Sequence, residues 1–305
     1  MADFQAAMSE LPWVWYGLCA LLGGLAASFA GVAAWRLSAE VAADSRYAVS
    51  AEASTSEADR TEADTAARRK SSLWRRSECE GCGRKLNALD LLPVLGWLLR
   101  RGQCPACGHR VNPIYPIAEA AGALLFVAVG WWWGAGWTAV FVMCFTALLM
   151  AAAWTDFSSF WIPDRFLLPL LFLGLLASPF EPSATARVWG AFLPAAFMLC
   201  AMGLGTLRYG SDVIAMGDVY LIMAGGATLG VDATFALLLI SGLVFPLYAI
   251  PVRRMGGLHG AAHDAMRGRF GDAGVPWGPG IALAILLCMA FPSFQRVPLA
   301  EILGL

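Results

Sequence analysis

Charge is scarce in this sequence. Asp, Glu, Lys and Arg make up 14% of the 305 residues, against 59% hydrophobic, whereas a soluble globular domain carries nearer a quarter. The deficit excludes a soluble globular domain and predicts a polytopic membrane protein with one polar insertion. Net charge, at −1, says nothing about partners, because the charges are unevenly placed. Cysteine, with eight residues, is too sparse for a disulfide scaffold. Cys19, Cys144, Cys200 and Cys288 stand singly in apolar runs, as small buried hydrophobes do. MADFQAAMSE lacks a basic n-region, and the apolar segment after it, about residues 12–35, is too long for a signal h-region. It reads as a retained first span. No G-x-G-x-x-G stretch follows a strand, which leaves no place for a soluble dinucleotide-binding unit.

What the sequence does have is long apolar runs. A span needs about 20 mostly apolar residues. Besides the first, runs fall at about 117–133, 137–155, 163–179, 187–207, 218–230, 233–250 and 278–296. The expected fold is therefore an all-α polytopic membrane protein of about eight transmembrane helices. Residues 1–37 carry the first span, and WWWGAGW, between the second and third, suits an aromatic belt. The 218–230 run is short and glycine-rich, as a tilted or broken span would be. Residues 38–76 are rich in Ala, Ser, Glu, Asp and Thr and cannot bury a core, so they form a flexible insertion or a solvated helix. A small polar unit, 77–115, precedes the remaining membrane domain, 116–305.

That unit holds the other four cysteines. Cys79-x-x-Cys82-Gly83 and Cys104-x-x-Cys107-Gly108 are two knuckles, each turning two thiolates toward one ion, with a glycine to bend the backbone behind them. The intervening 21 residues slightly exceed the usual zinc spacing of roughly 15–20. Four thiolates imply a closed, structural zinc site; two redox pairs or two disulfides are the alternatives. His109 is not needed as a ligand. ALDLLPVLGWLL between the knuckles is too short for a span and suits an interfacial helix, which would lay the metal unit against the membrane.

WTDFSSFWIPD, Trp154 to Asp164, sets two carboxylates at the border of two apolar runs, and Asp218 stands at another such border. A single aspartate there is ordinarily a helix cap or a group facing interfacial water. Two that meet can hydrolyse a peptide bond: close carboxylates share a proton, one acting as acid while the other activates water. Orientation bears on whether they meet. Loops on the side of the knuckle unit hold 19 of the 21 basic residues, which places that unit in the cytoplasm and both termini outside. Asp156, Asp164 and Asp218 all fall on this side, where a reducing environment also favours zinc over disulfides.

With these residues in view the chain resembles the type IV prepilin leader peptidases. The matching stretches are GGLAASFAGVAAWRL, the knuckle segment with DLLPVLGW, NPIYPIAE, DFSSFWIPD, MGDVYLIMAGGATLG and PWGPGIALA. The resemblance implies an inner-membrane aspartyl endopeptidase acting on prepilins or pseudopilins, with Asp156 and Asp218 catalytic and Asp164 a helix cap. Its second activity, N-methylation of the new N-terminus, implies S-adenosylmethionine. The residues alone give that cofactor no support, so the knuckle region near Glu119 is its place by resemblance only. The family's G-x-G-D reads Ala215-Met216-Gly217-Asp218; a usual lysine is Tyr220 and a usual asparagine is Gly31. Asp164 or Asp212 would receive a basic leader. His259 and His263, with Asp264 beside the latter, have metal-compatible spacing but stand in a glycine-rich polar loop. Lipid is an expected partner and nucleic acid is not. The rival readings are a proton- or cation-coupled transporter using the same carboxylates, and a scaffold whose zinc unit docks a partner.

Overall fold

The computed structural model describes Met8, residues 10–51, 76–210, 215–254, 275–291 and Ser293, with side chains in the first helix described through Leu37. Asp212, His259, His263, Asp264 and most of 38–76 lie outside the described residues. Nine α-helices are described: α1 (Pro12–Ala51), α2 (Leu95–Leu99), α3 (Ile114–Trp133), α4 (Trp137–Ser159), α5 (Asp164–Ala177), α6 (Ala184–Tyr209), α7 (Met216–Leu229), α8 (Thr234–Arg254) and α9 (Gly278–Ala290). No strand occurs among the described residues, only two isolated bridges. A multi-pass helical membrane protein is what these elements build.

Among the described residues each expected span contains a helix. Five helical stretches are long and apolar enough to cross a membrane: Pro12–Leu37, Ile114–Trp133, Trp137–Ser159, Ala184–Arg208 and Val231–Val252. The other three, α5, α7 and α9, have 14, 14 and 13 residues, fewer than the ~20 that a lipid-facing span needs. For α7 the reason is its position. Val219, Leu221, Ile222 and all of Ala224–Leu229 are buried, and the helix packs on α5, α6, α8 and α9. Protein rather than lipid surrounds it, so its ends need not reach the bilayer surfaces. At the close crossing of α6 and α7 a Cβ on Gly226 would come within 1.9 Å of the Gly190 carbonyl oxygen, the backbone-to-backbone approach that small residues permit.

The first helix runs further than its apolar part. The apolar stretch ends at Arg36, but the helix continues to Ala51, because the alanines and glutamate that follow favour a helix without needing a core.

Short connections make successive membrane helices antiparallel, and contacts identify the two ends of the bundle. At one end Trp133 packs on Phe180, Trp132 on Phe291, and the Ser178 hydroxyl donates to the Thr228 carbonyl. At the other end meet the C-terminus of α4, the start of α5, and the N-termini of α7 and α9. The knuckle unit, between α1 and α3, is at this second end. Its docking is specific: Val94 N–H donates to Glu119 Oε2 at 2.7 Å, and Pro93 packs where Gly24 of α1 has no side chain.

Candidate active site

Asp156 lies one turn from the C-terminus of α4, which closes with Phe160 in the left-handed region, φ 54°. Apolar residues before it embed this turn in the core, and Asp156 is only 4% exposed. Asp218 is in the first turn of α7 and 6% exposed. The two are 62 positions apart in sequence and yet each lies in the other's electrostatic reach. Gly217 lets the start of α7 lie close to the loop between α4 and α5: a Cβ there would stand 3.2 Å from Ile162 Cβ, tighter than side chains normally pack.

Each carboxylate has a distinct environment. Asp156 Oδ2 accepts the Gly278 N–H at 2.8 Å. Gly278 is the first residue of α9, and Pro279 after it has no N–H, so the orphan amide and positive end of that helix are aimed at Asp156. A Cβ on Gly278 would fall 2.6 Å from the same oxygen, so no other residue fits there without displacement. Asp218 hydrogen-bonds the backbone of Ala215, while its Oδ1 is buried and has no partner among the described residues. A buried unpaired carboxylate oxygen costs about 1–3 kcal/mol or more and marks a place where water, a proton or substrate is expected. Tyr248 of α8 lies in the field of both aspartates.

The remaining sequence candidates separate from this pair. Pro163, not Asp164, occupies the cap position of α5; Asp164 is the first helical residue, exposed, where its charge favours the helix dipole without capping it. Tyr220, at 39% exposure, is more open than its buried neighbours Val219 and Leu221 on α7. Ala215 caps α7 at φ −81°, a conformation open to any residue, so its methyl group imposes no backbone strain. Gly31 borders a cavity, its missing Cβ 3.8 Å from the Tyr115 ring.

The knuckle unit forms as a pair of matching turns. Cys79 N–H donates to Arg84 O at 2.8 Å and Gly83 N–H to Cys79 O at 2.9 Å; Cys104 N–H to His109 O and Gly108 N–H to Cys104 O repeat this, both at 2.9 Å. Gly83 and Gly108 take φ 69° and 71°, the left-handed turn that glycine accepts without strain. All four sulfurs lie within 4.8 Å of one another, with Cys79–Cys107 at 3.8 Å and Cys82–Cys104 at 4.0 Å. Sulfurs at ~2.3 Å around a tetrahedral ion stand ~3.8 Å apart, whereas a disulfide is ~2.0 Å. The cluster can therefore hold a metal such as zinc. Backbone amides of Ala106 and Cys107 hold the Cys104 thiol down to about 6, while the neighbouring cysteine thiols and burial push the Cys107 thiol up, so Cys104 is the one of this pair that favours the thiolate. His109 stands outside the set, 3.9 Å from Glu80.

Asp90 ties the unit together. It accepts Asn87 N–H at 3.1 Å, Arg84 Nη2 at 2.7 Å and Arg100 Nε at 2.8 Å; the amide and the two guanidiniums hold its carboxyl below the usual range. Arg84 in turn hydrogen-bonds Cys104. Outer contacts of this kind are worth about 10–100-fold in metal affinity. Asp90→Asn should keep the fold but release metal to a chelator about tenfold faster, measured with a colorimetric indicator. Unchanged release would show that Arg84 is held without Asp90.

Sequence reasoning did not pick out Gly278, Tyr248 or Asp90 as parts of a site. A backbone N–H leaves no signal of its own; PWGPG, a proline-bounded turn before an apolar run, was the signal that could have marked the place.

Residues 21–133 match the Bacterial Peptidase A24 N-terminal domain, and residues 142–250 match the Type IV leader peptidase family. A prepilin leader peptidase/N-methyltransferase of Aeromonas salmonicida (strain A449) is 29% identical over 90% of this chain and 90% of its own length. One of Pectobacterium carotovorum subsp. carotovorum is 30% identical over 81% of this chain and 88% of its own, and one of Neisseria gonorrhoeae is 31% identical over 62% and 66%. No solved structure matches the chain. The A24 domain and the leader-peptidase domain follow one another along it as one continuous match to these enzymes, and the chain belongs to the type IV leader peptidase family.

Proposed function

We propose that this protein is an aspartyl endopeptidase that removes the short basic leader of prepilins or pseudopilins at the cytoplasmic face of the bacterial inner membrane. The observation that carries the reading is the meeting of Asp156 and Asp218, two buried carboxylates from distant helix ends, in a place closed to most solvent. One carboxylate takes a proton from water as the water oxygen bonds to the scissile carbonyl carbon. The other gives its proton to the amide nitrogen as the C–N bond breaks. Both are at the knuckle end of the bundle, and the loops that alternation of the spans assigns to that side carry 19 of the 21 basic residues of the sequence, which supports its being cytoplasmic. A reporter fused after Leu305 should then be active only outside the cytoplasm. Activity in the cytoplasm instead would contradict the orientation.

The four-cysteine cluster holds zinc in this reading. With all four positions filled by thiolates, zinc there is structural and supplies no open site for chemistry. Leu89, Leu91, Leu92, Leu95, Leu98 and Leu99 are exposed on the segment between the knuckles, a surface suited to the lipid interface.

Methylation of the new N-terminus is the second activity proposed. A cavity of about 460 Å³ opens between the knuckle unit, α1 and α3, lined by Trp35, Tyr115, Glu119, Arg84 and Arg110 among others. Aromatic faces suit an adenine ring, and acidic and basic groups suit an amino-acid end, so these residues fit S-adenosylmethionine. When bound, that cofactor supplies the methyl group as an electrophile.

The direct test mixes purified protein with a leader-bearing prepilin and reads the products by mass. A fragment lacking the leader is expected; an intact prepilin in every condition would reject the proposal.

A further inference from the structure

The turn Pro276–Gly280 is gripped by one face of α8. Ser241, Phe245 and Tyr248 stand at i, i+4 and i+7, so they line a single stripe of that helix. The Tyr248 hydroxyl donates to the Pro276 carbonyl, and Trp277 Nε1 donates to the Ser241 carbonyl at 3.2 Å. Phe245 fills the gap, edge-on to Tyr248 at 5.7 Å and to Trp277 at 6.2 Å. Directly after the two hydrogen-bonded residues comes Gly278, the first residue of α9, whose N–H reaches Asp156.

We infer that Tyr248 and Trp277 are positioning residues for hydrolysis: they clamp the Pro276–Gly278 turn so that the Gly278 amide fixes Asp156 Oδ2, leaving Oδ1 to take the proton of the attacking water. The inference rests on the aspartyl reading above and assigns the roles within it. Asp156 is the base, held in one rotamer by a donor at the N-terminus of α9. Asp218, whose Oδ1 has no partner among the described residues, is the acid that gives its proton to the leaving amine. After cleavage the proton on Asp156 passes back to Asp218 through water, and the pair is restored.

The clamp needs both ends of the turn. Pro276 and Trp277 are consecutive, and their two partners, Tyr248 and Ser241, stand two turns apart on α8, so a single short segment is held at two points. Losing either hydrogen bond lets the amide swing, and misplacement on the scale of an ångström costs roughly 10–100-fold in rate. Asp156 itself stays in its helix, so substrate binding has no reason to change.

The experiment compares Tyr248→Phe, Trp277→Phe and the double variant on a purified prepilin, with Asp156→Asn and Asp218→Asn beside them. Each single variant should lower kcat about tenfold or more with KM within about twofold, at unchanged zinc content and thermal stability in detergent. Because both act on one turn, the double variant should be little worse than the lower single one. Wild-type kcat in Tyr248→Phe, a rise in KM alone, or losses that multiply in the double variant would each overturn the inference. Should Tyr248→Phe fail to fold, Trp277→Phe is judged by the same criteria. Cleavage by either aspartate variant would sink the aspartyl reading instead, so the two failures are told apart.

Discussion

Asp156→Asn and Asp218→Asn are each expected to abolish leader cleavage, by at least about 10³-fold, while folding and metal content stay as they are. The amide is nearly isosteric with the carboxylate. In Asp156→Asn its carbonyl oxygen can still accept the Gly278 N–H that Asp156 Oδ2 accepts at 2.8 Å. What it cannot do is take up the proton of a water molecule. In Asp218→Asn the lost function is proton donation to the leaving nitrogen. The two act as one unit, so the double variant should be little worse than either single one. Asp164→Asn is the contrast. Exposed at the start of α5, Asp164 contributes only a favourable charge at the helix N-terminus, about 0.3–1 kcal/mol, and cleavage should stay within about twofold of wild type. Mass analysis of prepilin incubated with each variant at several enzyme concentrations checks all three. Near-normal cleavage by either of the first two would unseat the pair; a dead Asp164→Asn would reopen which carboxylate of the 156–164 stretch does the chemistry.

Much of the architecture could be read in advance because it is written in runs of one residue class. Hydropathy marks a lipid-facing helix directly, and each of the eight apolar runs contains a helix among the described residues. It does not report what covers a helix, which is why the length of α7 was readable only as an oddity. Surrounded by α5, α6, α8 and α9, the helix needs fewer residues than a span in contact with lipid. The knuckles were legible for another reason. C-x-x-C-G spells out both the ligands and the turn that orients them, and Gly83 and Gly108 adopt the left-handed conformation that the motif requires. Asp156 and Asp218 stood out because carboxylates at the ends of apolar runs are few, and alternation of short loops put both at one end. Their supports were invisible. The donor to Asp156 is a backbone amide, and Tyr248 looks like one more aromatic residue in FPLYAIP until Pro276 is seen against it. Capping was misread by a single residue, because Pro163 sets the extended backbone from which α5 starts and leaves Asp164 inside the helix.

Replacing Cys104 with Ser should reduce bound zinc from one to about zero per chain, because metal binding and the folding of so small a unit are one event. Cys104 is 7% exposed and its sulfur lies 4.0 Å from that of Cys82. A hydroxyl in its place neither ionises near neutral pH nor suits zinc as a thiolate does. Few apolar contacts hold the unit otherwise. Most of its leucines face outward, and the Val94–Glu119 hydrogen bond and Pro93 seated at Gly24 are among the contacts that pin it to the bundle. Without the ion, residues 77–115 should become open to protease while α3–α9 stay resistant. The two catalytic candidates belong to α4 and α7 and are supported by α8 and α9, none of which depends on the knuckles for its core. Cleavage should therefore fall by less than about tenfold, whereas methyl transfer, whose proposed cavity is walled by the knuckle unit itself, should be lost. Elemental analysis, limited proteolysis and the two activities measured on the same preparation decide the matter. Full zinc in Cys104→Ser would show that the four sulfurs are not the ligand set. Cleavage lost as completely as in Asp156→Asn would show that the knuckle unit takes a direct part in holding the dyad.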